Sequence, residues 1–254
     1  VAALQNHLHT TGLERVVLVQ PSVYGTDNTC LVDALGQLGA RARGVAVVGP
    51  DTPDTALAAL DAAGVVAARL NLVVGKHPDH TSALAQWRTL DARLPRHWHL
   101  QLHVTLDTLV ALSDGIARSG RACVLDHLGL PAVAAGTQAP AWQQLLQLAQ
   151  DGSLFVKLSG PYLSSQTAAP HHDLQPFVQS LATAAPGALL WGSNWPHTQG
   201  TQRQAHTPAS AIEPFRVVDD RTWLDTCSRW LGAARQHLPH ANAVQLYGFD
   251  TTAP

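Results

Sequence analysis

The 254 residues contain no methionine and only three cysteines, and few are aromatic or charged; each shortage narrows what the protein can be. Cys30, Cys123 and Cys227 are odd in number, far apart and without CxxC spacing, so neither a disulfide framework nor a structural zinc site is expected. A reducing, cytoplasmic setting fits that usage. With 13% charged residues and a formal net charge of -2, the chain offers no basic face for phosphate backbones and no acidic tail. Nucleic acid and membrane surfaces are therefore not expected partners. No apolar run approaches the ~20 residues that span a bilayer, and the first residues lack a basic-then-apolar signal pattern. The absent methionines include an initiator, which leaves two readings open: a trimmed chain, or modified methionines omitted from the sequence.

What is present suits a large core. At 46% hydrophobic, a chain of this length commonly forms one α/β barrel domain, here taken as 1–254. Short apolar runs at 15–20, 44–48, 65–72, 98–104, 122–127, 154–159 and 188–192 read as strands. Helical patterns alternate with them at 26–38, 55–63, 81–94, 106–119, 141–150 and 173–184, the signature of repeated βα units around a parallel sheet. Residues 1–11 read as a helix, and 219–238 and 242–247 as a closing helical pair. A helix followed by seven strands implies a (β/α)8 TIM barrel whose first strand is missing or upstream of residue 1. His7 and His9 lie on the leading helix; an i, i+2 pair points about 200° apart, so both are read as surface residues rather than joint metal ligands. The Pro-, Gly- and Ser-rich stretches 161–170 and 198–208 follow strand ends and are read as substrate-covering loops.

In such barrels chemistry gathers at the C-terminal strand ends. The run Leu189-Leu190-Trp191-Gly192-Ser193-Asn194-Trp195-Pro196-His197 passes from apolar to polar, which nominates Asn194 and His197. Gln20-Pro21-Ser22-Val23-Tyr24-Gly25-Thr26-Asp27-Asn28 offers Ser22 and Tyr24 as hydrogen-bonding groups, with Thr26 or Asp27 able to cap the next helix. Arg69 and Asn71 share one strand face among apolar neighbours; a guanidinium there needs an anion, either a substrate carboxylate or an internal barrel Asp. His99, Gln101 and His103 also share a face, and His103 sits where a strand end meets the site. In Cys123-Val124-Leu125-Asp126-His127-Leu128-Gly129, His127 is read as pointing into the barrel mouth and Asp126 as facing away, tying strand to helix. Lys157, in Phe155-Val156-Lys157-Leu158-Ser159-Gly160-Pro161-Tyr162-Leu163, is either a paired structural lysine or a substrate contact, and Tyr162 is a candidate substrate contact.

These blocks closely resemble the amidohydrolase-related family, in particular its 2-pyrone-4,6-dicarboxylate lactonase and sugar-lactone branch, and the likeness spans nearly the whole chain to Gln245-Leu246-Tyr247-Gly248-Phe249. The resemblance implies a barrel and a lactonase. It also implies substrate contacts at Ser22, Tyr24, Arg69 and Asn71, a metal-ligand or substrate role at His103, and a catalytic His127. Two positions depart from the family's pattern. Leu163 stands where relatives carry an Arg that grips a carboxylate, which argues against a planar dicarboxylate pyrone. Asn194 stands where they carry the acid/base Asp, and an amide has almost no basicity. The base is then His127 or His197, or the protein binds without turnover, or Asp was engineered away. A catalytic zinc wants three or more His or carboxylate ligands, so no metal or other cofactor is expected unless a His-x-His strand exists upstream. The expected function is hydrolysis of a lactone of a small carboxylic acid, with a lactone isomerase or a small-anion-binding barrel as alternatives. Oligomeric state is not readable.

Overall fold

A computed structural model describes residues 1–74, 78–198, 211–212, 214–237 and 241–249. Helix α1 (Ala2–Thr11) opens the chain, followed by β1 (Val16–Val19), α2 (Thr29–Leu38), β2 (Ala42–Ala46), α3 (Asp54–Ala62) and β3 (Val65–Asn71). Next come α4 (His80–Arg93), β4 (His99–His103), α5 (Leu106–Ser119), β5 (Cys123–Leu125), α6 (Pro140–Gln150) and β6 (Leu154–Leu158). The chain closes with α7 (Gln175–Ala184), β7 (Leu189–Trp191), α8 (Asp220–Leu231) and α9 (Ala241–Tyr247). The seven strands form one parallel sheet in the order β1 to β7, curled in the manner of a TIM barrel. The eighth strand of the expected (β/α)8 barrel has no counterpart among the described residues.

Local chemistry explains the helices. In α5, Thr105 accepts a hydrogen bond from the Thr108 amide and starts the helix, Leu106, Leu109, Leu112 and Ile116 fall on one buried face, and left-handed Gly120 ends it. Burying each such side chain contributes roughly 2 kcal/mol. Outward residues of the strands, such as Leu100, Leu102, Leu125 and Leu158, meet these helix faces in the main core.

Inward residues divide by height. Val124 and Leu190 pack with Tyr247 and Phe249 of the C-terminal segment and with Val17, Val66 and Phe155, which plugs the base of the barrel. Arg43 and Arg15 lie over the Phe249 ring at 4.9 and 5.7 Å. Higher on the same strands the lining turns polar.

Some boundaries differ from expectation. β2 ends at Ala46 rather than at 48, because Asn28 takes both the amide and the carbonyl of Val47 out of the ladder. α2 begins at Thr29, since Asp27 caps that residue's amide and hydroxyl. The closing helix breaks after Leu231 at Gly232, φ 53°, and continues as a 3-10 turn. Residue 238, and residues 199–208 of the second candidate loop, lie outside the described residues. His7 is not a surface side chain: it stacks on Trp195 at 5.4 Å and stands 3.7 Å from Asp220, whereas His9 is exposed. Cys30 is exposed and Cys123 and Cys227 are buried, all three free. Among the described residues no helix is long and apolar enough to cross a membrane.

Candidate active site

The barrel mouth is built around Asp126, which corrects its expected outward orientation. β5 ends at Leu125, so strand alternation from Val124 places Asp126 inward, and the chain then kinks through left-handed backbone at His127 (φ 54°) and Leu128 (φ 58°). That kink is what brings His127 into the same space. Asp126 is 3% exposed and pairs with Arg69 Nε at 3.2 Å and Lys157 Nζ at 3.3 Å, while Gln101 Nε2 donates to it at 2.9 Å. Burial alone would raise its pKa; Lys157 and Arg69 outweigh that and hold the carboxyl well below its ordinary value.

Arg69 ties this floor to the rim. Its Nη2 donates to His103 Nδ1 at 3.0 Å and its Nη1 to Ser22 Oγ at 3.3 Å, and Asn71 Nδ2 donates to the same Ser22 oxygen at 2.6 Å. Because guanidinium only donates, His103 must carry its proton on Nε2. His103 and His127 meet edge to face at 5.1 Å, and His127 Nδ1 shares a hydrogen bond of 2.9 Å with Ser159 Oγ. Burial, reinforced by the nearby cations, lowers His103 to a pKa of about 3 and His127 to about 4, so both are neutral imidazoles near pH 7. His99, deeper on the same strand face, is lowered to about 3 by burial first and Lys157 second.

The second half of the mouth comes from the ends of β6 and β7. Asn194 Nδ2 donates to the Tyr162 hydroxyl at 2.8 Å, Tyr162 meets His197 Nδ1 at 3.2 Å, and His197 Nε2 meets Asp220 at 2.8 Å. Arg216 stacks over the Tyr162 ring at 5.0 Å. Gly160 joins the halves: a Cβ there would stand 3.0 Å from His127 Nδ1, 3.3 Å from Asn194 Nδ2 and 2.9 Å from Leu163. Asn194 (φ 68°) and His197 (φ 63°) share the left-handed backbone seen at His127, a conformation non-glycine residues keep only where surroundings enforce it.

Of the candidates read from sequence, Ser22, Arg69, Asn71, His103, His127 and Lys157 form one connected cluster. Tyr162, Asn194 and His197 form a second, adjoining it at Gly160. Tyr24 stands apart, 52% exposed on the 3-10 turn after β1. His197 is 3% exposed, and its two ring nitrogens are engaged by Tyr162 and Asp220. Arg69 meets an internal barrel Asp, the alternative its burial had left open. Sequence reasoning passed over Asp126, Ser159, Arg216 and Asp220 as site residues. Ser159 had a signal, two residues beyond Lys157 on one strand face; Asp220, in the first turn of α8, carried none, and Asp219 caps that helix by accepting from the Thr222 amide.

Fold and site together define an α/β-barrel protein with its working groups at the C-terminal strand ends, the arrangement of barrel enzymes. The chain belongs to the amidohydrolase family, which it matches over residues 1–249. It is 30% identical over 249 residues to the 4-sulfomuconolactone hydrolase of Rhizobium radiobacter, covering 93% of this chain and 76% of that one. A solved Pseudomonas putida structure, described as a 2-pyrone-4,6-dicarboxylic acid hydrolase, superposes with a TM-score of 0.79 at 31% identity, covering 98% of this chain and 88% of that one. A Burkholderia multivorans amidohydrolase with bound zinc shares the fold, TM-score 0.71 at 20% identity over 98% of this chain and 88% of its own.

Zinc does not fit the donors described here. No group of three or more His, Cys, Asp or Glu side chains is arranged for a metal ion among the described residues. The mouth's own carboxylate already faces two cations, Arg69 holds one nitrogen of His103, and residue 194 is an amide.

Proposed function

We propose that the chain acts as a single barrel domain that opens the ring ester of a small lactone bearing a carboxylate, without a metal or redox cofactor. The observation that carries this reading is the charge of the floor: two cations, Arg69 and Lys157, are buried around one carboxylate, Asp126. A low-dielectric pocket with one positive charge in excess favours an anionic ligand. Ser22 and Asn71 at the rim add hydrogen-bonding groups suited to a ring oxygen or carbonyl. The Nε2–H of neutral His103 is a donor for the oxygen that gains charge when water attacks the ester carbon, and the His127 imidazole beside it is a second polar partner. The lactone hydrolase relatives support the substrate class. Leu163 beside Gly160, instead of a further cation, favours a ligand with one carboxylate over a planar dicarboxylate.

The test is a panel of aldono-, aldaro- and muconolactones followed by acid release in a pH-stat, with calorimetry alongside. Acid release from at least one lactone is expected. Binding without acid release would establish a binding barrel instead, and a changed ring size by NMR at constant mass would establish an isomerase.

A further inference from the structure

Residue 194 at the mouth is an amide, which cannot take a proton from attacking water, so a hydrolase of this form needs a base elsewhere. The described geometry contains one directed path. His197 Nε2 lies 2.8 Å from the Asp220 carboxylate, which only accepts, so this nitrogen carries the ring proton. Nδ1 is then an acceptor, and the Tyr162 hydroxyl 3.2 Å away donates to it. Asn194 Nδ2 donates to the Tyr162 oxygen at 2.8 Å, fixing the phenol from the opposite side. His197 and Asp220 are 3% and 5% exposed, whereas Tyr162 is only partly buried and Asn194 is open at the mouth. The arrangement is a carboxylate, an imidazole and a hydroxyl in series, buried at one end and accessible at the other, the logic by which an activated hydroxyl works in hydrolases.

We infer that Tyr162 is the proton-transfer residue of this site, driven by His197 and Asp220, and that Asn194 orients it. The inference rests on the lactone-opening function proposed above. As water adds to the ester carbonyl, its oxygen forms the new C–O bond and its proton passes to the Tyr162 oxygen. The phenol's own proton moves to His197 Nδ1, and the imidazolium is held by Asp220. When the ring C–O bond breaks, Tyr162 returns a proton to the leaving oxygen and takes one back from His197. Proton and charge balance without an external reagent. Tyr162 is thus catalytic, and His197, Asp220 and Asn194 are positioning residues.

The experiment compares variants on whichever lactone the wild type opens. Tyr162→Phe should lower kcat by about a hundredfold or more, the usual worth of positioned proton transfer, with KM changed little. His197→Gly, which suits left-handed backbone, should lose similar activity and regain part of it with added imidazole. Asn194→Asp should not raise kcat, because a carboxylate cannot donate to the phenol and competes for its proton. Independently of turnover, 15N NMR should find His197 protonated on Nε2, with the Nδ1 signal moving in Tyr162→Phe. An active wild type with unchanged kcat in Tyr162→Phe, a gain of orders of magnitude in Asn194→Asp, or a proton on Nδ1 would each overturn the relay while leaving the proposed function standing. A wild type that opens no lactone would remove both.

Discussion

The base and the mouth of the barrel are lined by the same strands, a few residues apart, yet they are built from opposite chemistry. β5 supplies Val124 to the base and leads to Asp126 at the mouth; β6 supplies Phe155 below and Lys157 above; β3 supplies Val66 below and Arg69 above. Each step is two or three residues, roughly 7–10 Å along a strand. The base closes on the C-terminal Tyr247 and Phe249 and gains stability from burial. The mouth gives up that gain to keep two cations, a carboxylate and two imidazoles close together. A buried ion cluster is weak evidence for stability, because desolvation offsets most of its attraction. The mouth is therefore the less stabilising of the two regions.

Acid should separate the two regions most sharply. His99, His103 and His127 have folded pKa values near 3 to 4, below the ordinary 6.5, so the unfolded chain binds protons that the folded one refuses. Their contribution is complete above pH 6.5 and is lost as pH falls toward 4, roughly 2 kcal/mol for each imidazole at pH 5. Asp126, also depressed, adds its loss only below its ordinary value of 3.8. Urea titrations at pH 7 and pH 5 should show this drop; equal midpoints would mean the histidines are not buried neutral.

Asp126→Ala strands Arg69 and Lys157 without their shared anion. Denaturant unfolding should report a loss of about 3–5 kcal/mol, and adding Lys157→Met should recover part of it. Leu190→Ala at the base should cost about 3 kcal/mol through its cavity, yet leave kcat per folded molecule nearly unchanged. A large fall in kcat would show that base and mouth are not separable. The smallest effect is expected from Leu163→Arg, which adds a cation beside Gly160 and should lower KM for a dicarboxylate lactone by about tenfold. No change in steady-state KM would place residue 163 outside the pocket.

The sequence made the seven strands and most helices legible because apolar runs and helical periods survive without tertiary context. It misled where one neighbour changes the outcome. Extending β5 by two residues reversed the facing of Asp126, since a left-handed kink at His127 cannot be read from letters that are not glycine. Asn28 ends β2 from 19 residues away in sequence. His7 looked like surface until Trp195 and Asp220 came to meet it across the fold. The chain from Asn194 to Asp220 joins three segments distant in sequence, and no local pattern announces it.

The central claim is that the surplus positive charge of the mouth recognises the carboxylate of a lactone. Its most direct test is kcat/KM for one lactone with a free carboxylate and for its methyl ester, measured side by side. A preference of roughly a hundredfold for the free acid is expected, the worth of one or two charge-assisted hydrogen bonds. Equal rates, or a faster ester, would contradict it.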